Sequence, residues 1–162
     1  MKIGVLAVHG AFIEHEHIIE KIGHEVIEIR QRKDLEGIDG IILPGGESTV
    51  QGQLLRKLDM LDTIKSLIAD GLPTLATCAG LILLAGRIDN DDSIHIGTLP
   101  VTVKRNAYGR QLGSFHYAEG EFVGIGTFPM EFIRAPYVES VSDGVEVLAE
   151  VDGRIVGVRY GK

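Results

Sequence analysis

Apolar runs that alternate with a helical segment constrain the fold of this chain more than any other feature. The run Lys2–Val8 is continuous and rich in β-branched residues, which is typical of a parallel strand buried on both faces. Phe12–Ile22 places apolar residues on one helical face, and Gly23 ends that helix. Further strands are predicted at His24–Arg30 and Ile38–Leu43. Strand, helix and strand at this spacing imply right-handed βαβ units. We therefore predict an α/β fold with a doubly wound, mostly parallel sheet and helices on both of its faces.

The second half of the chain follows a different pattern. One long helix is predicted from Thr49 to about Ala69, and the later segment Arg87–Ile96 is polar. Asp152-Gly153 is a strong signal for a two-residue hairpin. Short strands are predicted at Leu99–Lys104, Ser114–Phe122, Glu131–Ala135, Val145–Val151 and Arg154–Tyr160. We expect an antiparallel extension of the same sheet, and a single domain over residues 1–162.

The only cysteine, Cys78, lies where a predicted strand turns sharply into a predicted helix. Ala76 and Gly80 stand two positions to either side, and small residues there allow the tight turn of a nucleophile elbow. A helix N-terminus also favours the thiolate, which is the form that attacks a carbonyl carbon. Most lone cysteines are inert and buried, but this pattern favours a nucleophile.

A glycine-rich loop follows the third predicted strand at Pro44–Thr49. Ligand crevices in doubly wound sheets lie beyond the carboxyl ends of the strands, so this loop and Cys78 are expected to share a cleft. Gly45 and Gly46 let main-chain N–H groups approach a ligand closely. Taken alone, such a sequence is usually only a turn. Paired with an elbow, it indicates a second donor to an oxyanion.

Composition and charge indicate which partners and which cellular compartment to expect. The formal net charge of −7 and the lack of a basic run argue against nucleic acid as a partner. The first apolar run is too short for a signal peptide or a membrane span. One cysteine makes no internal disulfide, which fits a reducing compartment. We expect a cytoplasmic protein with no membrane partner.

Several motifs together resemble the glutaminase subunits of pyridoxal 5′-phosphate synthase, which belong to the class I, triad-type glutamine amidotransferases. They span the whole chain in the family's order, and their combination is highly specific. They are Ile3–Ala7 with Glu14-His15, Pro44–Thr49, Thr77–Leu84, Val103–Gln111, Phe132–Pro136 and Val156–Arg159. The resemblance implies the flavodoxin-like fold of this family.

The resemblance also implies a reaction and its residues. Cys78 attacks the side-chain amide of L-glutamine, which yields glutamate and ammonia, while the backbone N–H groups of Ala79 and Gly46 hold the oxyanion. The residues that the resemblance assigns to glutamine binding are Gly46, Glu47, Ser48, Arg105, Ile133 and Arg134. An arginine suits the substrate α-carboxylate, although a lone arginine is more often in a surface ion pair.

A partner is implied as well. By resemblance the ammonia passes to a synthase (lyase) subunit for vitamin B6 biosynthesis, within a large complex that is a dodecamer of heterodimers. No metal and no bound cofactor are expected. The acidic loop Asp89–Asp92 lacks the spaced ligands of a hard-cation site and is interpreted as solvated.

Two positions depart from the family pattern. His9 stands where the family usually has Gln, which bears on activation by the partner. The family places its catalytic His and Glu in a Ser-Phe-His-Pro-Glu motif after the last strand, and the sequence reaches Lys162 without that motif. The domain is therefore expected to lack its C-terminal tail. Two alternatives remain open: a non-catalytic subunit that binds the synthase, and another cysteine-elbow α/β hydrolase of the intracellular protease and deglycase kind.

The histidines of the chain offer no obvious substitute base. Ser114–Glu119 superficially resembles the missing motif, but His116 is interpreted as a sheet residue. Three histidines belong to the predicted first helix and second strand and are expected to face away from Cys78; they are His15, His17 and His24. His95 is expected in a polar loop.

Overall fold

The computed structural model describes residues 1–105 and 115–161, without the side chains of 115–117. These residues form two compact units. The first contains Met1–Leu84 and His95–Thr98, and the second contains Ala85–Ile94 and the chain from Leu99 onward. The predicted α/β class is confirmed, with a parallel sheet and helices in the first unit and antiparallel pairing in the second.

The first unit is built on a parallel sheet in the order β2-β1-β3-β4. Its strands are β1 (Lys2–Leu6), β2 (Glu25–Ile29), β3 (Gly40–Leu43) and β4 (Thr74–Ala76). Its helices are α1 (Ile13–Lys21), α2 (Ser48–Lys57), α3 (Leu61–Ala69) and α4 (Ala79–Leu84), with a short 3₁₀ helix at Arg32–Leu35. The chain order reverses between β1 and β3, which is the switch point where such sheets bind ligands.

Burial explains why these runs form strands. All four residues of β3 are buried, and Val5, Leu6 and Ile29 are fully buried, as expected for strands covered on both faces. Ile19 of α1 packs on Val5 and Ile42. β4 is less buried than β3, and its Leu75 is 55% exposed. Among the described residues β4 pairs with β3 alone, so one of its edges carries no strand there.

The long helix predicted from Thr49 to Ala69 is two helices, because the chain turns between Lys57 and Leu61. Asp59 adopts a left-handed φ of 55°, and the N–H of Met60 donates to the carbonyl of Leu55 at 2.9 Å. This is the usual hydrogen bonding of a helix C-terminus. Met60 is fully buried, whereas Leu58 is 38% exposed. The apolar period continues across the break, which is why sequence alone does not reveal it.

The second unit contains a five-stranded sheet in the order β10-β11-β9-β6-β5 and a two-stranded sheet of β7 and β8. The strands are β5 (Ala85–Ile88), β6 (Leu99–Lys104), β7 (Phe115–Phe122), β8 (Gly126–Ile133), β9 (Tyr137–Val141), β10 (Val145–Val151) and β11 (Arg154–Tyr160). β5 and β6 are parallel, and the other pairs are antiparallel.

The predicted antiparallel strands are present, but they form sheets of their own rather than extending the parallel sheet. The hairpin at Asp152-Gly153 is confirmed. The φ values of these residues are 51° and 75°, and a type I′ hairpin turn requires positive φ at both positions. The strand predicted at Glu131–Ala135 is displaced, because β8 begins at Gly126 and includes Pro129. Proline is a signal against a central strand, but β8 pairs with β7 alone among the described residues.

Candidate active site

Cys78 occupies a strained turn between β4 and α4. Its φ is +48°, a left-handed conformation that is uncommon for a side chain other than glycine. The N–H of Thr77 donates to Leu43 at 3.0 Å, and the N–H of Gly80 donates to Thr77 at 2.8 Å. The turn is therefore fixed to the end of β3. Strain of this kind is characteristic of nucleophile elbows, so the predicted elbow geometry is present.

Gly80 is required by close packing. A Cβ placed there would clash with the carbonyl oxygen of Leu43 and lie 2.8 Å from its carbonyl carbon. The first turn of α4 therefore rests directly on the backbone of β3. This contact brings the elbow beside the loop that follows β3, and places Gly45 so that a Cβ on it would lie 3.4 Å from Cys78 Cβ.

The sulfur of Cys78 faces two backbone donors. Burial raises the pKa of the Cys78 thiol above its ordinary value, and hydrogen bonds from the N–H groups of Ala79 and Gly46 lower it in part. The N–H of Ala79 at the start of α4 thus favours the thiolate, as expected, but burial has the larger effect and the net direction is upward. α4 has only six residues, so its dipole is short, and desolvation outweighs the two donors.

We predict a pH profile for this thiol. Because its pKa is raised from an ordinary 9.0, the thiolate fraction is small at neutral pH and grows as pH rises. Alkylation by iodoacetamide, followed by intact mass, should therefore be slow at pH 7 and accelerate through and above the usual cysteine range. Cys78 is the only cysteine, so the mass change reports one site. A rate that is already constant below pH 7 would contradict this electrostatic account.

The loop after β3 leads into α2, whose N-terminus is capped by Glu47. The Glu47 carboxylate accepts hydrogen bonds from the N–H groups of Thr49 at 3.1 Å and Val50 at 2.8 Å. Such caps stabilise a helix by about 1 kcal/mol. Ser48 is 2% exposed, and its hydroxyl has no hydrogen-bond partner among the described residues. Gly46, Glu47 and Ser48 are thus consecutive at the junction between this loop and the start of α2.

The loop after β1 packs against the loop after β3, as the switch point of the sheet requires. The N–H of Ala11 donates to the carbonyl of Gly45 at 3.0 Å. Gly10 has a φ of +109°, and a Cβ there would clash with the same carbonyl oxygen. His9, the residue that departs from the family pattern, is exposed at the start of this contact.

The other three predicted glutamine-binding residues belong to the second unit. Arg105 follows β6, and its Nη1 lies 3.4 Å from the Asp91 carboxylate. Ile133 ends β8 and is 47% exposed. Arg134 is exposed and has a φ of +45°, which is unusual for a residue with a long side chain. The matching segment 106–111, which includes Tyr108, lies outside the described residues.

Two histidines have surroundings that the sequence did not predict. His15 is not turned away from the elbow, since its Nε2 lies 3.5 Å from Thr77 Oγ1. Burial lowers its pKa, although Glu14 acts in the opposite direction. His95 lies in the segment between β5 and β6, as expected, but its side chain is buried: it is 8% exposed, and its Nδ1 lies 3.2 Å from Arg56 Nη1. The side chain of His116 is not among those the structure describes.

One residue that the sequence analysis did not single out connects the two loops. Gln51 is fully buried in α2, and its Nε2 donates to the carbonyls of His9 at 3.0 Å and Pro44 at 3.3 Å. The available signal was a polar residue one turn after the helix cap, at a position that faces the core.

The described ranges contain no group of three His, Cys, Asp or Glu side chains that could hold a metal ion. Likewise, none of the helices in those ranges is both long and apolar enough to cross a membrane.

Comparison with known proteins gives consistent matches. The profile of the SNO glutamine amidotransferase family matches residues 5–162. A pyridoxal 5′-phosphate synthase subunit PdxT from Desulfitobacterium hafniense is 62% identical over 161 residues, which cover 99% of this chain and 80% of the relative. A protein of the same name from Streptococcus pneumoniae is 50% identical over 163 residues, which cover 98% of this chain and 84% of that relative.

Solved structures match in the same way. A crystal structure of a glutamine amidotransferase superposes with a TM-score of 0.92 at 40% identity, and the match covers 99% of this chain and 85% of the other. PurLQS from Thermotoga maritima superposes with a TM-score of 0.69 at 17% identity over 97% of this chain and 80% of the other. The second match shows the fold alone.

Proposed function

Because this chain belongs to the SNO glutamine amidotransferase family, we propose that it is the glutaminase subunit of a pyridoxal 5′-phosphate synthase. The resemblance read from the motifs is confirmed by the family match and by relatives at 50% and 62% identity that are named as PdxT subunits. The structural observation that carries the proposal is the convergence of two backbone donors, Gly46 and Ala79, on the sulfur of the only cysteine.

The first chemical step is thioester formation. Cys78 Sγ forms a bond to the amide carbon of glutamine, and the carbonyl oxygen becomes an oxyanion. We propose that the N–H groups of Gly46 and Ala79, which hydrogen-bond to the sulfur before the reaction, stabilise that charge. The carbon–nitrogen bond then breaks, and ammonia leaves once the proton taken from the thiol has been returned to the nitrogen. By the family resemblance, that proton would be carried by the His of the Ser-Phe-His-Pro-Glu motif, which this sequence does not contain.

Hydrolysis completes the cycle. Water adds to the thioester carbon, a second oxyanion forms at the same donors, and collapse releases glutamate and the free thiol. By the family resemblance, the residues proposed to hold glutamine are Gly46, Glu47, Ser48, Arg105, Ile133 and Arg134. The guanidinium of an arginine pairs well with the substrate α-carboxylate.

We propose that the ammonia passes to a synthase subunit, within a complex of twelve heterodimers in the cytoplasm. Support comes from the relatives, which are named as subunits of the synthase, and from the sequence motifs of the glutaminase family. Direct transfer would prevent glutamine from being consumed without an acceptor. The size of the complex is testable by light scattering of the mixed subunits.

The expected result is glutamate release that is low for the protein alone and rises when a pyridoxal 5′-phosphate synthase subunit is added. The loop that carries Gly46 contacts the His9–Ala11 loop, and Gly46 is exposed, so a partner could act on this donor through either loop. Glutamate is measured at saturating glutamine with and without partner. Equal rates would refute coupling. Complex formation without any turnover would support the alternative, a non-catalytic synthase-binding subunit.

A further inference from the structure

Gln51 is a buried amide beneath the oxyanion loop. It lies in the first turn of α2 and is 0% exposed. A side chain this deep is usually apolar, because an amide loses its water on burial and must recover hydrogen bonds from the protein. The hydrogen-bond partners of the Gln51 amide therefore indicate its structural role.

Both contacts go to the loops at the switch point. The Nε2 atom donates to the carbonyl of His9, after β1, and to the carbonyl of Pro44, after β3. Both acceptors are carbonyl oxygens, so only the NH₂ end of the amide can make these bonds. The orientation of the side chain is thereby fixed, and one amide connects two loops that are 42 and 7 residues away in sequence.

Two glycines provide the room for this arrangement. A Cβ on Gly10 would lie 3.2 Å from Gln51 Nε2, and a Cβ on Gly46 would lie 3.1 Å from it. The amide is thus packed directly against the residue whose N–H faces the Cys78 sulfur. The hydrogen bond from Ala11 to Gly45 is a second connection between the same two loops.

The carbonyl oxygen of the Gln51 amide does not connect the two loops. Gln51 Oε1 is buried and has no hydrogen-bond partner among the described residues, and an unpaired buried acceptor is destabilising. An apolar side chain of similar length would avoid that cost. The retained amide is therefore explained by its two donated bonds.

We propose that Gln51 is a positioning residue that holds the loop His9–Ala11 to the loop Pro44–Gly46, so that the Gly46 N–H stays directed at the reacting centre. The proposal rests on the proposed function, because the oxyanion of that reaction is what the donor serves. Gln51 does not touch the substrate. It acts through the backbone of the oxyanion loop, where a small displacement weakens a donor strongly.

The test compares Gln51→Met with Gln53→Met. Methionine keeps the length and volume of glutamine but donates no hydrogen bond, and Gln53 is exposed on the same helix, which makes it a matched control. A chloroketone analogue of glutamine labels Cys78 through an oxyanion-like adduct, whereas iodoacetamide alkylates it by direct displacement. Labelling rates with both reagents are measured across pH by intact mass, together with the denaturation midpoint.

For Gln51→Met we expect labelling by the glutamine analogue to fall about tenfold or more, since complete loss of an oxyanion donor costs about 10²–10³-fold. The pH midpoint of iodoacetamide alkylation should also move to higher pH, because the thiol loses part of its Gly46 hydrogen bond. A role confined to stability would change the denaturation midpoint alone. Gln53→Met should match the wild-type protein in both assays.

Wild-type labelling and an unchanged pH midpoint in a folded Gln51→Met protein would overturn the inference. If that variant does not fold, Gln51→Asn decides, because it keeps the amide but draws its NH₂ group back by one methylene from both carbonyls. Slowed labelling would support the inference, and wild-type labelling would overturn it. Failure of the wild-type protein to react with the glutamine analogue would count against the proposed function, while the iodoacetamide profile would still test Gln51.

Discussion

Replacement of Cys78 by serine should lower glutamate release by about 10⁴-fold or more, the scale on which hydrolases lose activity with their nucleophile. A serine hydroxyl ionises far less readily than a thiol. The site increases that disadvantage, because burial already raises the pKa of the thiol and so disfavours any anion at this position. Turnover is measured with the synthase partner present.

A folding control accompanies this substitution. Serine differs from cysteine by one atom, so Cys78→Ser should keep the denaturation midpoint and still bind the synthase subunit. The exposed Ser66→Ala on α3 should leave both turnover and the midpoint at wild-type values. Substantial glutamate release by Cys78→Ser would mean that another group attacks the amide, and the assignment of the elbow would be wrong.

Gly80→Ala should destabilise the protein by about 3 kcal/mol or more, at the upper end of the cost of overpacking. The new methyl group would clash with the carbonyl oxygen of Leu43 and lie 2.8 Å from its carbonyl carbon. Both are backbone atoms of a fully buried strand end, so neither can rotate away. The free energy of unfolding is measured by denaturant titration. Activity should fall as well, because α4 carries the Ala79 donor.

Gly45→Ala is the stability control for this substitution. Its Cβ would lie 3.4 Å from Cys78 Cβ, which is ordinary van der Waals contact. The cost should be below about 1 kcal/mol, in the range of surface substitutions that fit their space. If Gly80→Ala were as stable as Gly45→Ala, the close contact between α4 and β3 would not be present in solution.

The parts of the fold that follow from local sequence were predictable. β1, β10 and β11 are set by runs of β-branched residues, and the hairpin at Asp152-Gly153 requires two positive φ values that this dipeptide adopts readily. The elbow was predictable because the small residues Ala76 and Gly80 allow a tight turn around Cys78 between a strand and a helix. In each case, residues within one short stretch of sequence determine the local structure.

Features that depend on distant contacts were not predictable. The break between α2 and α3 follows from burial of Met60, and the apolar period conceals it. His95 is buried because Gly52 leaves room for its ring, and a Cβ there would clash with His95 Nδ1. The raised pKa of Cys78 arises from burial, which no local pattern reports.

The candidate site likewise contains some features that the sequence predicts and one that it does not. Pro44–Thr49 and the elbow are recognisable as motifs, and the structure places both at the carboxyl ends of neighbouring strands. Gln51 was missed, because its two acceptors come from loops that the sequence does not connect. A polar side chain at a core-facing helix position is generally held by hydrogen-bond partners of this kind.

The most direct test of the central claim is the site at which a glutamine-like electrophile reacts. The protein is incubated with a chloroketone analogue of glutamine, with and without excess glutamine, and the adduct is located by peptide mass spectrometry. We expect a single adduct on Cys78 that excess glutamine suppresses. An adduct on any other residue, or one on Cys78 that glutamine does not suppress, would contradict a glutamine site at this elbow.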